Sequence, residues 1–325
     1  MEKEILHKIK SVIIGHAIGD ALGVPVEFCS REDLDTGPVD DMEGYGTYPF
    51  PPGCWSDDTS MTLCALESLS KGDVDYDDVM LNFGKWYYKD EFTPTGKMFD
   101  VGNTCSYAID NYFAHHKSID ECGLTDERSN GNGSLMRILP FILFTEYGAY
   151  VGNWLDIIHK ASSLTHAHER SKIGCGIYAH IMRELLAKPA KESIRLGLNR
   201  ARRFYKESPE NKYYNRLYRK IGLVDLHFED PDTFERAKRE EIKSSGYIVD
   251  TLEAAVWCVL NTHSYSECVL TAVNLGDDTD TIAAVAGGMA GALYGYDSIP
   301  KEWLDTLQKR EYIEDMCERA CAAWC

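Results

Sequence analysis

Two short acidic clusters carry the residues most capable of chemistry. Ser56-Asp57-Asp58-Thr59 and Gly276-Asp277-Asp278-Thr279-Asp280-Thr281 lie 220 positions apart, and each opens into an apolar helical pattern. A helix start gathers side-chain oxygens within one turn, so two such turns brought together would offer carboxylates and hydroxyls to hard divalent cations. Each cluster alone also reads as an ordinary cap, because Ser, Thr and Asp accept hydrogen bonds from free N–H groups and acids suit the positive end of the helix dipole. Two near-copies with more carboxylates than capping uses favour a shared metal site.

Gly131-Asn132-Gly133-Ser134 is expected to precede a helix over Leu135 to Tyr147 with Met136 and Arg137 in its first turn. That arrangement points free N–H groups at an anion such as a pyrophosphate, although glycine-rich turns before helices also simply turn. The segment lacks the lysine of a nucleotide-binding Walker loop and follows no strand, which removes support for kinase, ATPase and dehydrogenase readings. Thr165-His166-Ala167-His168 places two imidazoles one residue apart. On a helix they diverge, so hydrogen bonding in or near a pocket suits them better than zinc.

The elements that must position these groups are helical almost throughout. Ile5, Ile9, Val12 and Ile13 form an apolar stripe that runs into Gly15, Gly19 and Gly23, where small residues at four-residue spacing predict a tightly packed central helix. Further helical periodicity covers Met61 to Lys71, Tyr76 to Lys89, Asn103 to His115, Asn153 to Ser162, Glu169 to Lys188 and Lys191 to Glu207. It resumes over Asp250 to Leu260, Ser266 to Val273, Asp280 to Leu293 and Glu311 to Trp324. Convincing period-2 strands, repeats and low-complexity linkers are absent. The expected fold is all-α, a compact single-domain orthogonal multi-helix bundle of a dozen or more helices spanning 1–325.

With 325 residues and 44% hydrophobic composition the chain can build a substantial core. Its net charge of −18 argues against general affinity for nucleic acid. No basic region followed by an apolar one opens it, and the longest strongly apolar stretch is read as Ile138 to Phe144, too short to cross a bilayer. Eleven cysteines, an odd number without a CxxC pair, predict reduced thiols and a cytoplasmic compartment. Arg183 to Lys220 departs from the acidic balance, with twelve Lys or Arg against four Glu, broken by Pro189 and Pro209 and interleaved with Tyr205, Tyr213, Tyr214 and Tyr218. It is read as a peripheral basic helical segment, extending over 183–245, on a solvated face or a partner surface.

Taken in order, Gly19-Asp20-Ala21-Leu22-Gly23-Val24-Pro25-Val26-Glu27-Phe28, Trp55-Ser56-Asp57-Asp58-Thr59, Gly131-Asn132-Gly133-Ser134-Leu135-Met136-Arg137, Leu164-Thr165-His166, Ser245-Gly246-Tyr247 and Gly276 to Thr281 resemble the motifs of the ADP-ribosylglycohydrolase family. The likeness is to its dinitrogenase-reductase-activating and ADP-ribosylarginine hydrolase branch and covers about residues 10 to 295. It implies an all-helical fold with two magnesium ions, or manganese, at the bottom of a cleft that holds ADP-ribose.

Carried onto this chain, the resemblance implies Ser56, Asp57, Asp58, Asp278, Asp280 and Thr281 as metal ligands, with Glu27 and Asp100 as catalytic carboxylates. Ser56 stands where Thr is frequent in the family and keeps the hydroxyl. Asp277 stands where many relatives have Gly. The resemblance further implies substrate contacts from Gly102, Asn103, Asn132, Gly133, Ser134, His166, Ser245, Gly246 and Tyr247, with pyrophosphate on the Gly131 to Ser134 amides. Five carboxylates packed together repel by roughly 4 kcal/mol per pair at ~4 Å and an effective dielectric of ~20, a repulsion that divalent cations would remove. Glycosidic cleavage needs one group to assist the leaving atom and one to activate water, roles that fall to Glu27 and Asp100. The function so implied is removal of ADP-ribose from protein, most directly from arginine. Another linkage (serine, O-acetyl-ADP-ribose, nucleic acid) or a silent ADP-ribose-binding relative are the alternatives.

Overall fold

The backbone follows from how two helices meet. α1 (Glu2–Gly23) begins with Glu2 and Glu4, which suit the positive end of its dipole, and ends as Pro25 enters a single 3-10 turn, Val24–Val26. Its partner is α12 (Thr279–Tyr294), the helix that opens from the second acidic cluster. The four-residue glycine stripe expected from the sequence is the contact surface. A Cβ on Gly19 would sit 2.1 Å from the Ala283 carbonyl oxygen, and one on Gly23 would sit 2.3 Å from the Asp280 Cα. Nothing but hydrogen fits there, so the two backbones touch and bring the end of α1 beside the start of α12.

In this computed structural model, residues 2–207, 218 and 234–325 are described. Between α1 and α12 lie α2 (Arg31–Thr36), α3 (Asp57–Leu69), α4 (Tyr76–Lys89), α5 (Asn103–Phe113), α6 (Leu139–Tyr147), α7 (Trp154–Ser163), α8 (Glu169–Ala187), α9 (Lys191–Glu207), α10 (Ile248–Asn261) and α11 (Tyr265–Val273). α13 (Lys301–Thr306) and α14 (Arg310–Trp324) follow. Among the described residues there is no strand, only isolated bridges between Leu124 and His166 and between Gly131 and Tyr247. The all-α expectation holds. Starts are fixed by side-chain caps: Ser56 on α3, Asp75 on α4, Asn153 on α7, His168 on α8 and Ser264 on α11 each accept from a first-turn N–H.

Three expectations change. The helix predicted from Leu135 begins at Leu139, because Pro140 fits only the first turn of a helix and disfavours helical backbone immediately before it. The longest apolar helix is not around Ile138: Glu2–Val26 is long and apolar enough to cross a membrane by length and composition, but 89% of its apolar window is buried inside the fold. In the basic segment, Tyr205 and Tyr218 are fully buried, with hydroxyls close under Gly176 and Gly174 of α8, so these two tyrosines are core and not a partner surface. Arg195 there forms a two-point ion pair with Glu235, at 2.6 and 2.7 Å. Pro209, Tyr213, Tyr214 and the neighbouring basic residues lie outside the described residues. The cysteines are all free, and nine of them are buried.

The α1–α12 contact makes a direct prediction. Gly19→Ala should lower the unfolding free energy by about 1–3 kcal/mol or more, since two backbones must part to admit the methyl group. Gly37→Ala, where a Cβ meets nothing within 4 Å, should stay within about 0.5 kcal/mol. Urea unfolding of both variants checks this, and equal stability would show that the stripe is not a close contact.

Candidate active site

The two acidic helix starts converge, and a residue from α1 holds them in register. Asp20, fully buried, accepts from the Ser56 amide at 2.9 and 3.1 Å, from the Thr59 amide at 3.0 Å and from the Thr59 hydroxyl at 2.6 Å. It therefore ties α1 to the start of α3 while the glycine stripe ties α1 to α12. Across the join, Asp58 Oδ2 accepts from the Ser56 hydroxyl at 3.1 Å and from the Thr281 hydroxyl at 3.3 Å, so one carboxylate touches both clusters. Oxygens of Asp20, Asp58 and Asp280 lie within 4.8 Å of one another, and so do oxygens of Glu27, Asp100 and Asp280. The sequence motif containing Asp20 was legible, but its role was not, because nothing in spacing reveals a carboxylate on one helix gripping the amides of another.

Above this floor, Glu27 and Asp100 face each other at one end of a cleft of about 430 Å³. Gly102 and Asn103, at the start of α5, line this cleft together with Asp57 at the start of α3. Asp100 has φ +51, a left-handed conformation that Asp tolerates better than most residues. Tyr48, which sequence reasoning missed, stands beside Glu27 and Asp100, and burial together with these two carboxylates raises its pKa. Its ring packs on Phe99 with centroids 5.0 Å apart. A lone Tyr in a Gly- and Pro-rich loop carries no periodic signal that could have singled it out.

The opposite wall is built from Gly131, Asn132, Gly133, His166 and Gly246, with Asn103 at the rim. Asn132 donates to Asp278 Oδ2 at 2.7 Å and to the Thr251 hydroxyl at 2.9 Å, so the glycine loop is fastened to the second acidic cluster. Gly246 must be Gly, since a Cβ would lie 2.9 Å from Asp278 Oδ2. His166 is held by Thr165, whose hydroxyl accepts from Arg137 at 2.8 Å and lies 2.8 Å from His166 Nδ1. With Arg137 supplying that hydrogen, the Thr165 proton goes to Nδ1, and the remaining ring N–H, on Nε2, is left for the cleft. Burial and the nearby Arg137 charge lower the His166 pKa to about 3, so the ring is a neutral donor.

Three expected substrate contacts do not line the cleft. The Ser134 side chain is buried against Ser162 and Cys175, the Ser245 hydroxyl turns to Asp250, and the Tyr247 ring lies under the Arg170 guanidinium at 5.5 Å. Around Ser134 the reason is local: with helix α6 starting later than expected, residues 131–138 form turns in which every side chain from Ser134 to Ile138 is buried. Arg137 is likewise fully buried, over the Phe83 ring at 4.8 Å, and cannot meet an anion. Asp277 has φ +60 and lies against Ser244 and Arg31 outside the cleft. Its left-handed backbone explains why Gly serves at such a position, and its charge stays out of the site.

Electrostatics decides what this arrangement is for. Asp20, Glu27, Asp57, Asp58, Asp100, Asp278 and Asp280 all have pKa values raised, in each case first by burial; for Asp57, Asp58 and Asp280 the other carboxylates push further in the same direction. Among the described residues no Lys, Arg or His forms an ion pair with any of them. Buried oxygens of Glu27 (Oε2), Asp58 (Oδ1) and Asp280 (Oδ2) have no hydrogen-bond donor. Orphaned buried carboxylate oxygens are costly unless a cation meets them. The donor set is all oxygen, so the clustered acids fit hard metal ions.

A family model described as ADP-ribosylglycohydrolase matches residues 1–325. The chain is similar to the ADP-ribosylarginine hydrolase Tri1 of Serratia proteamaculans, 36% identical over 319 residues, which cover 98% of this chain and 80% of that protein. It is 31% identical over 303 residues to the ADP-ribosyl-[dinitrogen reductase] glycohydrolase of Rhodospirillum rubrum, covering 91% and 89%. Among solved structures, an ADP-ribosylglycohydrolase-related protein complex superposes with a TM-score of 0.79 at 30% identity, over 99% of this chain and 100% of that one. The chain belongs to the ADP-ribosylglycohydrolase family.

The raised carboxylates make stability depend on pH with a defined sign. A folded-state pKa above the unfolded one means that the native protein binds more protons, so stability present below about pH 4 is lost as pH rises towards about 8. Metal-stripped protein should therefore melt at a lower temperature at pH 8 than at pH 5. Magnesium should remove most of that slope, because ions that bind the native form oppose the repulsion. A melting temperature that rises from pH 5 to pH 8 in the stripped protein would contradict the reading of the cluster.

Proposed function

We propose that the chain is a magnesium-dependent hydrolase that removes ADP-ribose from arginine side chains of modified proteins in the cytoplasm, with two ions in the cleft. The observation that carries this reading is the convergence of both acidic helix starts on one floor, with no ion pair to any of its carboxylates among the described residues. Ser56, Asp57, Asp58, Asp278, Asp280 and Thr281 would hold the ions. Bound there, divalent cations supply Lewis acidity towards ribose hydroxyls and water. Asp20 is committed to the amides of α3 and acts as a positioning residue.

The remaining steps belong to the chain's own groups. The amides of Gly131 and Gly133 and the neutral His166 N–H offer donors to a pyrophosphate, the Asn132 amide being committed to the Gly246 carbonyl. That places the sugar over the acids and its anomeric carbon towards Glu27 and Asp100. Two facing carboxylates whose protons are held by burial and by each other are suited to move a proton between the leaving atom and water. The Tyr48 hydroxyl beside them, kept protonated by burial and by both acids, can donate to one of them. An arginine leaving group is cationic in water, and Asp100 at the open end can hold it by a charge-assisted hydrogen bond. The relatives named as acting on arginine and on dinitrogen reductase support the substrate class.

Release of ADP-ribose from arginine-linked and serine-linked peptides, with and without EDTA, tests this reading. Arginine-linked turnover should predominate and disappear on chelation, with recovery in magnesium. Glu27→Gln should lose most of kcat while still binding ADP-ribose, and Asp100→Ala should damage arginine-linked turnover far more than ADP-ribose binding. Serine-linked release as fast as arginine-linked release would move the enzyme to another linkage.

A further inference from the structure

We propose that Phe28 is a specificity-determining residue that receives the leaving side chain, taking a guanidinium on the face of its ring. This rests on the arginine reading above and assigns the residue that would recognise that group. Phe28 follows Glu27 in the chain, lines the same cleft as Glu27, Asp57 and Asp100, and is 70% exposed. Other exposed aromatics, such as Tyr45 and Tyr107, do not line this cleft.

Its backbone argues that the ring is there for a purpose other than packing. Phe28 has φ +66, a conformation that a bulky side chain adopts only when the surroundings impose it. The surroundings do so on both sides. The Phe28 amide donates to the Asp277 carbonyl at 2.7 Å, the Asp277 amide donates to the Cys29 carbonyl at 2.8 Å, and the Glu27 carbonyl accepts from the Thr47 hydroxyl at 2.7 Å. Gly would satisfy that turn without strain and without exposing apolar surface. Phe instead sets an unburied ring on the cleft that Glu27, Asp57 and Asp100 also line.

The occupant follows from the neighbours. Phosphates are disfavoured beside Glu27, Asp57 and Asp100 and find donors elsewhere on the cleft, in the Gly131 and Gly133 amides and the Arg128 guanidinium. A group lying between an aromatic face and carboxylates is best a flat cation, which the ring quadrupole and the acids attract together, and guanidinium matches both in shape and charge.

The test uses the full chain with Phe28→Leu, Phe28→Gly and Phe28→Trp, an arginine-ADP-ribosylated peptide, and free ADP-ribose as the control ligand. Leu keeps the apolar bulk without the ring, Gly also relieves the backbone, and Trp keeps an aromatic face. Phe28→Leu and Phe28→Gly should raise KM for the peptide roughly ten-fold with kcat within about two-fold, and Phe28→Trp should stay near the parent. The Kd for ADP-ribose should not change in any variant. A parent-like KM in both Leu and Gly variants, with the parent active on arginine, overturns the assignment of Phe28 alone. A KM and an ADP-ribose Kd that rise together also overturn it, since the ring would then serve the nucleotide or the fold. A parent inactive on arginine-linked peptide yet active on another linkage overturns the arginine reading and the guanidinium assignment with it.

Discussion

Mutual repulsion among buried carboxylates is the constraint to which the rest of this structure answers. Asp20, Asp57, Asp58 and Asp280 are almost completely excluded from solvent, with Glu27, Asp100 and Asp278 immediately above them. Such a cluster cannot form unless the chain elsewhere forces it. The force comes from apolar packing on α1 and α12, whose glycine-to-backbone contact leaves no freedom for the helix starts to separate. The close backbone contact and the Asp278-to-Thr281 half of the site thus lie on the same helix pair, to which α3 brings Ser56, Asp57 and Asp58.

That arrangement separates the cleft into ends of different character. One part is acidic, with Glu27, Asp57 and Asp100, and carries the exposed Phe28 ring. The other presents N–H groups from a glycine loop and a neutral imidazole fixed by Thr165 and Arg137. Arg137 contributes without touching the cleft: it is buried, it suppresses protonation of His166, and it sets which ring nitrogen carries the hydrogen. A single anionic ligand with a sugar in the middle and a cationic leaving group matches this polarity in one orientation only.

Much of this was legible in the sequence because the governing signals are local. Helix periodicity placed α4 and α9 to the residue and most other helices within a residue or two, and the two acidic clusters announced themselves by composition at helix starts. What escaped depended on contacts between distant segments or on a single residue. Asp20 reads as one more polar residue near a helix end until α3 is brought to it. Tyr48 sits in a loop without periodicity. Ser134, Ser245 and Tyr247 belong to the right loops but point the other way, a distinction that turns on one or two dihedral angles. The late start of α6 is the exception, since Pro140 already carried that information and the apolar run before it obscured the signal.

The central claim, that two remote acidic helix starts form one site for divalent cations, is tested most directly by growing crystals in manganese and mapping the ions from their anomalous scattering. Two peaks are expected on the cleft floor, each bounded by oxygens from both clusters, with Asp58 and Asp280 contributing and Asp20 still bound to the amides of Ser56 and Thr59. A fully ordered floor with no peak at millimolar manganese, or a single peak held by one cluster alone, would contradict the account.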